Sequence, residues 1–75
     1  MTLEETMQMI ELLTKLDRYM SSRQDTYNSL TKYYEEHDEK QNREYAENQA
    51  AQCEIVRNII GELLNTIGSV MKVEF

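Results

Sequence analysis

His37 and Cys53 are the only side chains in this sequence that titrate near neutral pH, so any general acid–base or nucleophilic chemistry would begin with them. One imidazole and one thiol cannot build a zinc cage, and a single cysteine forms no disulfide within its own chain. Cys53 falls on the apolar side of a helical pattern, which marks it as a buried, inert thiol. His37 sits in the densest acidic run, Glu35-Glu36-His37-Asp38-Glu39. Several carboxylates could bind a hard cation, but the spacing and central glycine of a calcium loop are absent. The run therefore reads as a solvated face or as a contact for a basic partner. There is no phosphate-cradling glycine loop and no nucleophile elbow. The expectation is a protein that is not an enzyme, with no metal and no cofactor.

The tyrosines form the other notable set. Tyr27, Tyr33 and Tyr34 precede the acidic run and Tyr45 follows it. Tyrosine supplies a large apolar body with a hydroxyl that reaches water, so it serves as core filler at a wet bundle end or as a binding hot spot. Tyr27, Tyr33 and Tyr34, with Glu35, Glu36 and Glu39, are the candidate partner-binding residues. Base stacking is disfavoured because the surroundings are acidic, and a net charge of −6 opposes contact with a phosphate backbone.

The elements that position these groups are helical. Proline is absent, the two glycines stand at 61 and 68, and alternating β-branched runs are lacking. Thr2-Leu3-Glu4-Glu5 matches a capping box, with Thr2 as N-cap and Glu5 three residues on. Leu3, Met7, Met9, Ile10, Leu12, Leu13, Leu16 and Met20 then cover more than half of a helix's circumference, an arc too wide for one neighbouring helix. Met9, Leu13, Leu16, Met20, Tyr27, Leu30, Tyr34 and His37 hold one heptad register in which Arg23 is the misfit. The register carries the helix through Ser21–Ser22. A break at those serines, giving a three-helix bundle, is the alternative. From Cys53 onward, Val56, Ile59, Ile60, Leu63, Leu64, Ile67, Val70 and Met71 form a second apolar face within about half of a helix.

The two stripes differ in phase, and the apolar segments lie at the two ends of the chain. Both facts place a reversal near Asp38–Arg43, with Asn42 as a left-handed cap and Asp38 as a helix start. Such a hairpin sets Met20 beside Val56, Leu13 beside Leu63 and Met7 beside Val70. It also sets Leu30 opposite Ala46 and Tyr27 near Ala50, large against small. Opposite charges four apart, Lys32–Glu36–Lys40–Glu44 and Glu39–Arg43–Glu47, carry helix close to the turn. Ala46, Ala50, Gly61 and Gly68 lie along one flank that Arg57 interrupts. They would either let another helix approach or face solvent, and Gly68 could instead end the helix. Val73-Glu74-Phe75 alternates like a tail that folds back on the bundle or adds to a partner's sheet edge.

The fold expected is all-α: a helical hairpin of Thr2–Glu36 and Arg43–Gly68, pairing as a homodimer into a four-helix bundle. Seventy-five residues bury too little surface for a comfortable solitary core, and the sequence offers neither an internal disulfide nor the ligands of a zinc cage to brace one. Self-association through Leu3, Met7, Ile10, Leu13, Leu16, Met20, Val56, Ile60, Leu63, Ile67 and Val70 is the remaining device. No apolar run approaches membrane length and no signal-peptide pattern opens the chain, so a cytoplasmic protein is expected. The functional expectation is a protein–protein interaction module such as an adaptor, a chaperone-like subunit or an inhibitor. The runner-up is an acidic decoy whose carboxylates at Glu35, Glu36, Asp38, Glu39, Glu44 and Glu47 imitate a phosphate row and occupy a basic nucleic-acid-binding cleft.

Overall fold

A computed structural model describes residues 2–74, with side chains described through Val70. Two helices, α1 (Leu3–Glu36) and α2 (Lys40–Glu74), pack against each other as an antiparallel hairpin. The hairpin measures 55 × 16 × 13 Å. Phe75 and the side chains of residues 71–75, and with them the suggested tail contact and the place of Met71 in the second apolar face, lie outside the described residues.

α1 starts where its sequence says it should. The Thr2 hydroxyl accepts from the Glu5 N–H at 3.1 Å, and the Glu5 carboxylate accepts from the Thr2 N–H, closing the capping box. The helix then runs unbroken for 34 residues. It passes Ser21 and Ser22, where the Thr26 hydroxyl donates back to the Ser22 carbonyl at 3.1 Å. Helix continuity there excludes the three-helix alternative.

The reversal takes three residues, His37, Asp38 and Glu39. Glu39 N–H donates to the Tyr34 carbonyl at 2.9 Å and Asp38 N–H to the Glu35 carbonyl at 3.4 Å. With Asp38 at φ 58° this is a Schellman cap, which satisfies carbonyls that the helix end would otherwise orphan. The left-handed residue is thus Asp38 and not Asn42, which lies inside α2. Aspartate tolerates this conformation without glycine because its short polar side chain bonds locally. α2 begins at Lys40, three residues before the expected Arg43, and passes through Gly68 instead of ending there.

Between the helices runs a coiled-coil seam. On α1 the positions turned inward are Ile10, Leu13, Asp17, Met20, Gln24, Tyr27, Thr31 and Tyr34. On α2 they are Ala46, Ala50, Cys53, Arg57, Ile60, Leu64 and Ile67. Both sets step by three and four residues, the spacing that keeps a seam facing its partner along two supercoiled helices. Large side chains of α1 lie level with small ones of α2 near the turn, Tyr27 with Ala50 and Leu30 with Ala46. Only Ala46, Ala50, Cys53 and Ile60 are fully buried among the described residues, and α1 has no fully buried residue.

Candidate interaction surface

A polar layer crosses the seam among the described residues, and it fixes the alignment of the helices. Arg57 donates from Nε to the Asp17 carboxylate at 3.2 Å and from Nη1 to the Gln24 side-chain carbonyl at 3.1 Å. Arg57 is therefore a member of the seam, not a break in a flank of small residues. A polar group at a core position of a coiled coil specifies register, because slipping the helices would strand it unpaired. Residues of α1 and α2 whose numbers sum to about 77 stand at the same level, with Arg57 bridging between Asp17 and Gln24.

That alignment divides the expected self-association residues into two groups. Ile10, Leu13, Met20, Ile60 and Ile67 are used within the hairpin, and Val56 borders the seam half-buried. Leu3, Met7, Leu16, Leu63 and Val70 are exposed, as are Met9, Leu12, Tyr19, Ile55 and Ile59. Met9, Leu12, Leu16 and Tyr19 form a second stripe on α1, turned about 100° from the seam at 3.6 residues per turn. Val56, Ile59, Leu63, Thr66 and Val70 form a similar stripe on α2, turned by about the same angle in the same rotational sense. In an antiparallel pair, equal rotations of the same sense point to the same side. The two stripes therefore make one apolar face on one broad side of the hairpin. Met7 lies on the other side, and Leu3 continues the seam line one heptad before Ile10; all three line a shallow depression.

The hairpin is elongated and exposes more surface than a globular chain of its mass. The accessible surface is 5983 Å². A globular chain of 8.9 kDa exposes about 4,800 Å². The radius of gyration is 16.9 Å, against about 11 Å for a compact domain of this length.

Where the apolar face meets the turn half of the molecule, a basic side chain closes it. Arg23 donates from Nη1 to the Tyr19 hydroxyl at 3.2 Å and from Nη2 to the Tyr27 hydroxyl at 2.8 Å. Its guanidinium carbon stands 5.6 and 5.4 Å from the two ring centroids. The hydrogen bond to Tyr19 favours the charged guanidinium and raises the Arg23 pKa above its ordinary value. The ladder Tyr19–Arg23–Tyr27 thus holds a permanent cation at the edge of the face. By apolarity alone Arg23 is a misfit in the heptad register. The signal available was the i, i+4 tyrosine on each side of it.

At the turn, the candidate partner-binding residues are brought together only in part. Tyr33 is exposed and stacks on His37 at 4.0 Å, and it meets the edge of Tyr34 at 5.6 Å. Tyr34 and Tyr27 are half-buried in the seam. Glu35, Glu36 and Glu39 are all exposed. Glu35 and Glu39 line a small open depression with Tyr34 and Asp38, and Lys40 and Arg43 share it. His37 caps α1 in solvent instead of extending the seam, its ring Nδ1 2.7 Å from the Tyr33 carbonyl. Cys53 is buried about fourteen residues of helix away, so thiol and imidazole do not meet. Among the described residues no three His, Cys, Asp or Glu side chains converge as for a metal ion, and no helix is long and apolar enough to cross a membrane.

The arrangement defines a class by geometry: an antiparallel two-helix coiled coil with one uncovered apolar side. No protein-family model, curated protein or solved structure matches the chain.

Proposed function

We propose that this chain is a non-catalytic protein–protein interaction module that self-associates through its apolar side and presents its tyrosine-rich, acidic turn to another protein. The observation carrying this reading is the one-sided exposure of Leu12, Leu16, Ile59 and Leu63 on both helices of a hairpin whose own seam buries so little. Burying a leucine or isoleucine stabilises an assembly by about 1.5–3 kcal/mol, so covering this face would add more than the seam's four buried residues supply. The surface in excess of a globular chain, about 1,200 Å², exceeds the roughly 800 Å² per partner of a standard interface. Two hairpins joined by these faces make a four-helix bundle homodimer.

The turn suits recognition of a second protein. Tyr33 offers an exposed ring held by His37 and Tyr34, and Glu35, Glu36 and Glu39 are exposed at the same end of the hairpin. Lys40 and Arg43 share the depression beside these carboxylates, which interrupts the acidic row that a nucleic-acid decoy would need. The test is capture of proteins from the source lysate at two salt concentrations. Retention at high salt with loss on Tyr33→Ala supports the module. Binding abolished by salt and by charge reversal of Glu35, Glu36 and Glu39 would favour the decoy.

A further inference from the structure

The outer stripe of α1 is its own complement when read backwards. Its heptad positions are Glu5, Met9, Leu12, Leu16, Tyr19 and Arg23. Turned end for end about the midpoint between Leu12 and Leu16, Leu12 meets Leu16, Met9 meets Tyr19, and Glu5 meets Arg23. The stripe of α2 has its corresponding midpoint between Ile59 and Leu63, within about two residues of the same level. One two-fold axis crossing the hairpin at that height therefore serves both helices. From this palindrome we propose that the occupant of the apolar face is a second copy of this chain, packed with α1 antiparallel to α1 and α2 antiparallel to α2. Arg23 of each copy then faces Glu5 of the other. This rests on the self-association reading above and adds to it the partner, its direction and its register.

Three observations favour this packing over the other two-fold arrangement, in which the axis runs along the helices and α1 lies on α2 of the second copy. First, the crossing axis overlaps only the apolar half of each hairpin and leaves the two acidic turns at opposite ends. The lengthwise axis would set the two acidic turns side by side in a chain of net charge −6. Second, Arg23 stands fixed by Tyr19 and Tyr27 at one end of the stripe, and Glu5 is fixed by Thr2 at the other. The Glu5 hydrogen bonds to Thr2 both fall on Oε1. Third, the crossing axis lays α1 on α1, so its stripe need only complement itself, as its charges and large side chains do, whereas the lengthwise axis would lay it on α2.

Glu5 and Arg23 are about 27 Å apart along one helix, so any coupling between them must pass between copies. In a Cys53→Ala background, singly substituted chains are mixed and oxidised. Met9→Cys chains mixed with Tyr19→Cys chains are expected to form the mixed disulfide, while Met9→Cys alone forms none. Glu5→Arg and Arg23→Glu are each expected to weaken the dimer by about tenfold, and the double reversal to restore most of it. A disulfide between Met9→Cys and Thr66→Cys chains instead, or single reversals that the double does not rescue, would overturn this packing while leaving self-association intact. A monomer at micromolar concentration would remove both.

Discussion

Arg57 and Asp17 lie forty residues apart in sequence and 3.2 Å apart across the seam, each side chain only about a third exposed (38% and 34%). With Gln24 they form a polar layer among the apolar and small residues of α2's inner face. An ion pair this accessible contributes only about 0.2–1 kcal/mol, so its larger role is to fix how the helices align. Arg57→Ala should lower the melting temperature by a few degrees, since about 1 kcal/mol shifts a domain of this size by roughly 4–8 °C. The Asp17→Ala/Arg57→Ala double-mutant cycle, read by thermal circular dichroism, should return a coupling inside that range. Zero coupling would remove Arg57 from the seam.

Gly61 and Gly68 face open space, with nothing within 4 Å of where a Cβ would stand. Both are interior to α2. Gly61→Ala and Gly68→Ala should each stabilise the hairpin by about 1 kcal/mol by removing glycine's backbone entropy, measurable as a raised denaturation midpoint. A loss of stability at either position would mean another helix approaches closely there.

Cys53 is buried between the helices. Its thiol should react with a disulfide reagent far more slowly than a free cysteine in native buffer and at the ordinary rate in denaturant. Fast native labelling would show that the seam opens readily.

Much of this architecture could be read in the chain. Thr2 and Glu5 announced the capping box, the 3–4 spacing carried α1 across Ser21–Ser22, and the phase change between stripes placed the reversal. The residue pairs expected across the hairpin, such as Met20 with Val56 and Leu13 with Leu63, match the observed level. The seam itself is harder to read because three of α1's eight inward positions are Asp17, Gln24 and Thr31. A reading by apolarity follows Met9, Leu16, Leu30 and His37 instead, which border the outer face or lie in solvent. Arg57 was legible only as an interruption because its partners sit on the other helix. The turn falls at His37–Glu39, at the early edge of the expected Asp38–Arg43, and is resolved by Asp38 as the left-handed residue and not as a helix start, a backbone written in no glycine.

Leu12 and Leu16 are exposed in the single hairpin, so replacing either by glutamate should change its intrinsic stability by no more than about 0.5 kcal/mol. In the bundle the same change would bury a carboxylate against leucine at the two-fold axis. Leu12→Glu or Leu16→Glu should therefore abolish the dimer while the helical signal at high dilution stays close to that of the parent. Equal dimer strength in parent and variant would place the interface elsewhere.

The uncovered apolar side is the feature on which the rest depends, and sedimentation equilibrium of the unmodified chain tests it most directly. The expected result is a species of twice the 8.9 kDa chain mass at micromolar concentration, dissociating on dilution. A folded, cooperative monomer of single chain mass across the whole concentration range would contradict it.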